Sequence, residues 1–338
     1  MLKFWMFVVF MLCSGLSVGL VFAAPQDAHS FANVEQVQTR KLSLDLNVDF
    51  ERQQLHGFAE HELHRIDPTA TQFVLDTRAL VIEKVLQNGT QDAWQAAPFK
   101  LGNEDAIKGQ PLTIVLSPST TRIRIYYRTT AASSGLQWLN AAQTSEKKHP
   151  FLFSQSQAIH ARSWIPLQDT PALRVRYQAR IRTPKQLLAV MSADNSQNSV
   201  RDGDYQFEMP QPIPAYLIAI AVGDLHFKAM SPQTGVYAEK TWLTKAAAEF
   251  NDTQKMMDVA SKLYGQYPWG RYDLLILPAS FPFGGMENPR LSFITPTVIT
   301  GDKSLVSLIA HELAHSWSGN LVTNSNWNDL WLNEGFTN

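Results

Sequence analysis

The sequence predicts an α+β chain of two domains, and two observations carry that expectation. From about Val37 to Val222, short segments alternate apolar and polar residues, the period of half-buried strands. After Gly223, apolar residues recur at three- and four-residue spacing, and Pro- and Gly-rich connections separate the segments. The chain has 338 residues, 45% of them hydrophobic and 17% charged, enough for about two domains that each bury a core. The expected boundaries are an N-terminal antiparallel β domain over 26–223 and a second domain over 224–338, both preceded by a separate segment, 1–23.

That leading segment places Lys3 before an uncharged apolar run from Phe4 to Ala24, followed by Pro25. Val21-Phe22-Ala23 has the small-residue pattern of a signal-peptide cleavage site, with the cut after Ala23. The run is also long enough to span a bilayer, so a retained membrane anchor is the alternative. Ser14, Gly15, Ser17 and Gly19 interrupt it and no positive cluster follows, which favours cleavage. Either way the bulk of the chain is expected to be exported, periplasmic or extracellular, with the membrane a partner only if the segment is retained. Cys13 is the only cysteine and lies in this run, so neither disulfides nor a thiol nucleophile are expected beyond it. The formal net charge of −1 gives no reason to expect nucleic acid as a partner.

Within the first domain, Leu42, Leu44, Leu46, Val48 and Phe50 alternate with polar residues, a strand with one buried face. Phe73–Leu75, Val81–Leu86, Leu112–Leu116, Ile123–Tyr127 and Leu187–Met191 continue the short-strand pattern. Arg174 to Arg182 alternates strictly and reads as a strand with a wet, cationic face. Ser192 to Asp204 reads as a polar loop, and Ala215 to Val222, apolar throughout, as a strand buried on both faces. Stacked antiparallel sheets follow from this pattern.

In the second domain, Thr241 to Tyr264 has helical spacing with a break near Asn251-Asp252, and Gly265, Pro268 and Gly270 end it. Tyr272–Leu277 reads as a short strand, and 278–296 is rich in Pro and Gly. Asp302 or Ser304 is expected to cap a helix whose face carries Leu305, Leu308, Ile309 and Glu312 and which stops at Gly319-Asn320. A further helix is expected from about Asp329.

The chemistry is concentrated in these last helices. His311-Glu312-Leu313-Ala314-His315 puts two imidazoles four residues apart, hence on one helix face. Eighteen residues further on, Trp331-Leu332-Asn333-Glu334-Gly335 supplies a carboxylate. Two imidazoles and one carboxylate suit Zn²⁺ and leave a fourth position for water, with Glu312 placed to act as general base. Chance produces such an HExxH only on the order of once in a hundred chains of this length. Before it lies Phe281-Pro282-Phe283-Gly284-Gly285-Met286-Glu287-Asn288-Pro289. Its two glycines allow a close approach to an extended peptide, with Glu287 near the metal; a Pro/Gly turn with a solvated carboxylate is the competing reading.

Together these motifs resemble the zinc aminopeptidases of the aminopeptidase N and leukotriene A4 hydrolase family. The leukotriene A4 hydrolase branch is the nearer, through Gln155-Ser156-Gln157-Ala158-Ile159-His160, Gln168-Asp169-Thr170-Pro171 and Trp317 to Asn324. The resemblance runs from about residue 40 to the last residue. It implies that the second domain is the start of a thermolysin-like α/β zinc peptidase domain. It further implies one Zn²⁺ per chain held by His311, His315 and Glu334, with Glu312 as general base. Gln155, Ser156, Gln157, Phe283, Gly284, Gly285, Met286, Glu287 and Asn288 are then the substrate-binding residues, Glu287 and Gln157 holding a free α-amine. The implied substrates are peptides with a free N-terminus, and the implied reaction is hydrolysis of their first peptide bond.

Two departures qualify the resemblance. Phe283 stands where that branch tends to have tyrosine. The family's oxyanion-stabilising tyrosine and helical C-terminal domain have no counterpart here, so the chain is expected to be C-terminally incomplete, with Trp331, Leu332 and Phe336 uncovered. A zinc- and peptide-binding protein with little turnover is the alternative this leaves open. Epoxide hydrolysis, known from one branch member, is demanded by none of these residues.

Overall fold

The computed structural model describes residues 27–89, 93–198 and 200–337, so the apolar segment 1–23 lies outside the described residues. Among the described residues no helix is long and apolar enough to cross a membrane. The strands there form sheets of seven, four, five and three members. The seven-stranded sheet is built on strand Val37–Asp49, whose inward Leu42, Leu44, Leu46 and Val48 are buried, as the alternation requires. It pairs antiparallel with Gln54–Arg65, but parallel with Arg174–Arg182, so this otherwise antiparallel sheet has one parallel seam.

Gln54–Arg65 shows no alternation in sequence, because its inward positions are Leu55, Gly57, Ala59 and a histidine. A side chain at position 57 is impossible: a Cβ there would lie 1.9 Å from the Asp45 carbonyl oxygen, and φ is +152°. His61 is fully buried. Its Nε2–H donates to the Pro166 carbonyl (3.0 Å), which leaves Nδ1 to accept from the Thr39 hydroxyl (3.0 Å). Burial holds His61 neutral, with its pKa lowered to about 4 against the partial support of the Pro166 carbonyl.

The four-stranded sheet, ordered Leu188–Met191, Ile220–Gly223, Phe151–Ser154, Leu136–Leu139, is what aims the first domain at the second. Phe151–Ser154 is buried throughout, and Phe153 meets Phe281 edge-on at 5.7 Å. The strand therefore delivers Gln155–Gln157 directly to the segment around Glu287. The apolar run from Ala215 is not one strand, contrary to expectation: Ala215–Leu217 is a turn of 3-10 helix and only Ile220–Gly223 is extended. Both pieces are buried, and hydrophobicity alone cannot distinguish a buried strand from a buried helical turn.

Gln168 and Asp169 serve the fold. The Gln168 amide clips the edge of Val37–Asp49, accepting from the Thr39 N–H (2.9 Å) and donating to the Val37 carbonyl (2.8 Å). Asp169 pairs with the fully buried Arg162, whose remaining donors reach the carbonyls of Lys108 and Asp169, both at 2.8 Å. A buried ion pair of this kind survives only when well bonded, and here each of the three guanidinium nitrogens has an acceptor.

The second domain carries the five-stranded sheet, His226–Ala229, Thr234–Ala238, Tyr272–Ile276, Leu291–Ile294 and Gly285–Met286 in spatial order. Its helices are α1 (Lys240–Glu249), α2 (Thr253–Tyr264), α3 (Ser307–Ala314) and α4 (Trp331–Glu334). The break between α1 and α2 falls where Asn251-Asp252 places it. Neither Asp302 nor Ser304 caps α3, however: Val306 occupies that position and provides no side-chain cap. Instead Glu249 grips the preceding loop, accepting from the Thr300 hydroxyl and the Gly301 and Lys303 amides at 2.8–2.9 Å. An acid from another helix thus holds the loop that leads into α3, while the helix itself has no side-chain cap.

His61 generates a pH prediction. Below pH ~6.5 the unfolded chain takes up a proton at this residue that the folded chain refuses down to about pH 4. Stability present above pH 6.5 is thus lost as pH falls. In urea unfolding of the metal-free chain, the stability advantage of the native chain over His61→Gln should shrink by roughly 2–3 kcal/mol between pH 7.5 and pH 4.5. A pH-independent difference would show that burial does not hold His61 neutral.

Candidate active site

Helix α3 ends at Ala314, and His315 follows at its C-cap with helical backbone, so His311 and His315 still project together. Their Nε2 atoms lie 3.1 Å apart, and Oε2 of Glu334, on α4, lies 3.6 Å from each. Tetrahedral coordination with bonds of about 2.0–2.2 Å places donor atoms roughly 3.3–3.5 Å apart, so the three fit one small cation. The His315 tautomer is fixed for this purpose, since Nδ1–H donates to the Ser318 carbonyl (3.1 Å) and leaves the Nε2 lone pair facing the other donors. His315 is almost fully buried while the His311 and Glu334 side chains are a quarter to two-fifths exposed, so the site opens to solvent on one side.

The chain beyond α3 is held by groups the sequence does not advertise. The Asn320 N–H bonds the His315 carbonyl (3.0 Å), and the Trp269 indole N–H bonds the Ser316 carbonyl (2.9 Å). These satisfy carbonyls that the helix end leaves without partners. Arg174, from the cationic strand of the first domain, reaches across to the Asn320 carbonyl (2.6 Å) and the Thr323 hydroxyl (2.7 Å). Its wet face is therefore partly an interdomain clasp.

Three carboxylates surround the two imidazoles. Glu287 and Glu312 oxygens and a His315 ring nitrogen all lie within 4.8 Å of one another. Glu312 is buried, and its Oε2 has no partner among the described residues. Burial, then the Glu287 carboxylate, push Glu312 up to about 8. Burial likewise raises Glu287. Burial works against the charged form of His315, yet its bond to Glu334 and the charges of Glu287 and Glu312 push it up to about 9. So much negative charge in a half-closed site calls for a cation, and a bound cation reverses these shifts.

The remaining sequence-predicted residues converge on the same place, with different jobs. Gly285–Met286 is a strand at the edge of the five-stranded sheet, paired on one side only, with Ile294 and Phe293. A Cβ at Gly285 would lie 2.0 Å from Oε1 of Glu312, whereas one at Gly284 would meet only the Leu308 side chain, at 3.2 Å. Gln157 Nε2 donates to Glu287 Oε1 (3.3 Å), and Gln155 Nε2 contacts Met286 Sδ (3.1 Å). The Ser156 hydroxyl is engaged elsewhere, donating to the Ile218 carbonyl and accepting from the Trp164 indole. Asn288 is buried, and Phe283 is 51% exposed, stacked edge-on against Phe281. Trp331 and Phe336 are exposed and Leu332 is half-buried.

Tyr216, Asn320 and Asn333 are site residues that sequence reasoning missed. Asn333 Nδ2 lies 3.3 Å from Glu287 Oε1 and 3.4 Å from the Tyr216 hydroxyl, and Asn320 Nδ2 donates to the Glu287 carbonyl (2.7 Å). The available signal was that Asn333 adjoins Glu334 inside an apolar helix.

Comparison with known proteins shows the family. The Peptidase M1 N-terminal domain matches residues 37–217 and the Peptidase family M1 domain matches residues 248–338. The chain belongs to peptidase family M1. Leukotriene A-4 hydrolase of Xenopus laevis is 46% identical over 92% of this chain and 52% of its own length. Leucine aminopeptidase 2 of Yarrowia lipolytica is 42% identical over 92% of this chain and 48% of its own length. The solved structure of yeast LTA4 hydrolase in complex with bestatin superposes with a TM-score of 0.87 at 38% identity, covering 94% of this chain and 49% of that one. Within the family, the chain therefore falls in the leukotriene A4 hydrolase and leucine aminopeptidase 2 branch. It spans about half the length of the curated relatives it matches.

The donor geometry predicts linkage between metal and stability. Free zinc at about a thousand times its dissociation constant should stabilise the chain by roughly 4 kcal/mol, read as a rise in melting temperature. His315→Ala and Glu334→Ala should each abolish most of that rise. An equal rise in either variant would place the ion elsewhere.

Proposed function

We propose that the chain carries the catalytic site of a zinc-dependent aminopeptidase, which hydrolyses the first peptide bond of peptides with a free N-terminus. The observation that carries this reading is Glu287: a buried carboxylate, fixed by Gln157 and Asn333, beside the His311–His315–Glu334 cluster. Those three residues would hold one zinc ion, which when bound polarises the scissile carbonyl and acidifies the attacking water.

The chain's own residues do the rest. A peptide α-amine has a pKa near ~8 and is mostly cationic at neutral pH. Glu287 receives that ammonium, and because burial raises its pKa, binding of the cation and ionisation of the carboxylate go together. The unpaired edge of Gly285–Met286 offers backbone groups to an extended peptide, aligning the bond next to the ammonium with the metal cluster. Glu312, through its unpartnered Oε2, takes a proton from the attacking water and passes it to the leaving amine. A substrate lacking the ammonium leaves Glu287 buried without a counter-charge, and it is rejected on that ground.

A second reading, metal and peptide binding with little turnover, draws on one observation. Glu334 sits on a four-residue helix whose Trp331 side chain is 62% exposed, a thin support for a catalytic ligand. Zinc at one per chain with no hydrolysis would favour it.

Amino-acyl-arylamides distinguish the two. The zinc-loaded chain should hydrolyse them, stop on chelation, and leave N-acetylated analogues intact; equal cleavage of acetylated substrates would remove the role given to Glu287. Gly285→Ala should keep its zinc yet lose on the order of a hundredfold in turnover, because the new methyl occupies the place of the Glu312 carboxylate. Gly284→Ala should lose far less, and equal losses would contradict the placement of Glu312.

A further inference from the structure

Beside the candidate metal ligands, one buried polar side chain meets both Glu287 and the first domain: that of Asn333. It is 1% exposed on α4, immediately before the ligand Glu334. Adjacent residues on one helical turn point in different directions. Glu334 faces the imidazoles, and Asn333 faces Glu287. Its amide also meets the hydroxyl of Tyr216, which belongs to the first domain and donates to the Gly319 carbonyl (3.2 Å). Room for the amide depends on Gly319, where φ is +107° and a Cβ would lie 2.1 Å from Asn333 Oδ1. Asn320, the next residue, holds the Glu287 carbonyl from the other side.

From this juxtaposition we infer that Asn333, backed by Tyr216, is a positioning residue that fixes the Glu287 carboxylate at a set distance from the metal ligands. The inference rests on the reading of Glu287 as the amine anchor. One turn of helix carries both a metal ligand and the guide of that anchor, so the distance from metal to ammonium cannot drift independently of α4. That distance decides which peptide bond meets the metal. Tyr216 ties the same turn to the first domain, so amine recognition is assembled across the domain boundary rather than within one segment.

The test uses the zinc-loaded chain and two probes, leucine hydroxamate and N-acetyl-leucine hydroxamate. Both present a metal-binding hydroxamate, and only the first carries an ammonium. The dissociation constant of the acetylated probe divided by that of the free one isolates the contribution of the amine. Glu287→Gln is the control: if it leaves the ratio unchanged, the amine-anchor reading fails and takes this inference with it. With that control collapsing the ratio, Asn333→Ala should lower it roughly tenfold, the worth of one hydrogen bond to a charged group, while the acetylated probe binds as before. Tyr216→Phe keeps the ring and should lower the ratio by roughly twofold to fivefold. A ratio unchanged in Asn333→Ala, or equal weakening of both probes, overturns the positioning role. If Asn333→Ala loses its zinc or its fold, Tyr216→Phe decides, and an unchanged ratio there overturns the inference.

Discussion

Three carboxylates and two imidazoles crowd into one half-buried space, and the rest of the structure is arranged around keeping them there. Glu287, Glu312 and Glu334 would repel one another at this range without a cation among them, since burial weakens the screening that water would supply. The fold holds them by attaching each to a different element. Glu334 is on α4, Glu312 is on α3 with the imidazoles, and Glu287 follows the edge strand Gly285–Met286. The surroundings of α3 and of Glu287 are then fixed from outside. Glu249 grips the loop before α3, Trp269 and Arg174 hold the chain beyond it, and Gln157 and Asn333 flank Glu287.

This arrangement explains why the first domain is more than a platform. A strand buried on both faces ends at Gln155–Gln157, a 3-10 turn presents Tyr216, and the cationic strand supplies Arg174. All three reach groups that flank the His311–His315–Glu334 cluster. Just after Gln155–Gln157, the Gln168 clip holds the chain to the seven-stranded sheet, and the buried Arg162–Asp169 pair holds it to Asp76 of the three-stranded one.

The grouping of His311, His315 and Glu334 was legible in the sequence because the histidine spacing is helical and the chemistry is narrow: HExxH followed by a carboxylate leaves few alternatives. The strand Val37–Asp49 was equally legible, since Leu42 to Val48 alternate without exception. Its partner Gln54–Arg65 was not, because a histidine and two residues with little or no side chain fill its inward positions. Ala215 to Val222 misled for the opposite reason: with every residue buried, no period remained to separate a helical turn from a strand. The expected caps of α3 failed because Asp302 spends its carboxylate on the Ser304 amide in the turn before the helix, and Val306 takes the cap position. Tyr216 went unrecognised as a site residue because neither type nor spacing reveals a contact made across domains.

The central claim is that His311, His315 and Glu334 form one cation site, beside which Glu287 is held. Anomalous diffraction at the zinc edge from crystals of the zinc-loaded chain tests it most directly. The account predicts a single strong peak about 2.0–2.2 Å from both Nε2 atoms and from a Glu334 carboxylate oxygen, with Glu287 nearby and not coordinating. A peak liganded by Glu287 in place of Glu334, or no peak at these residues, would contradict it.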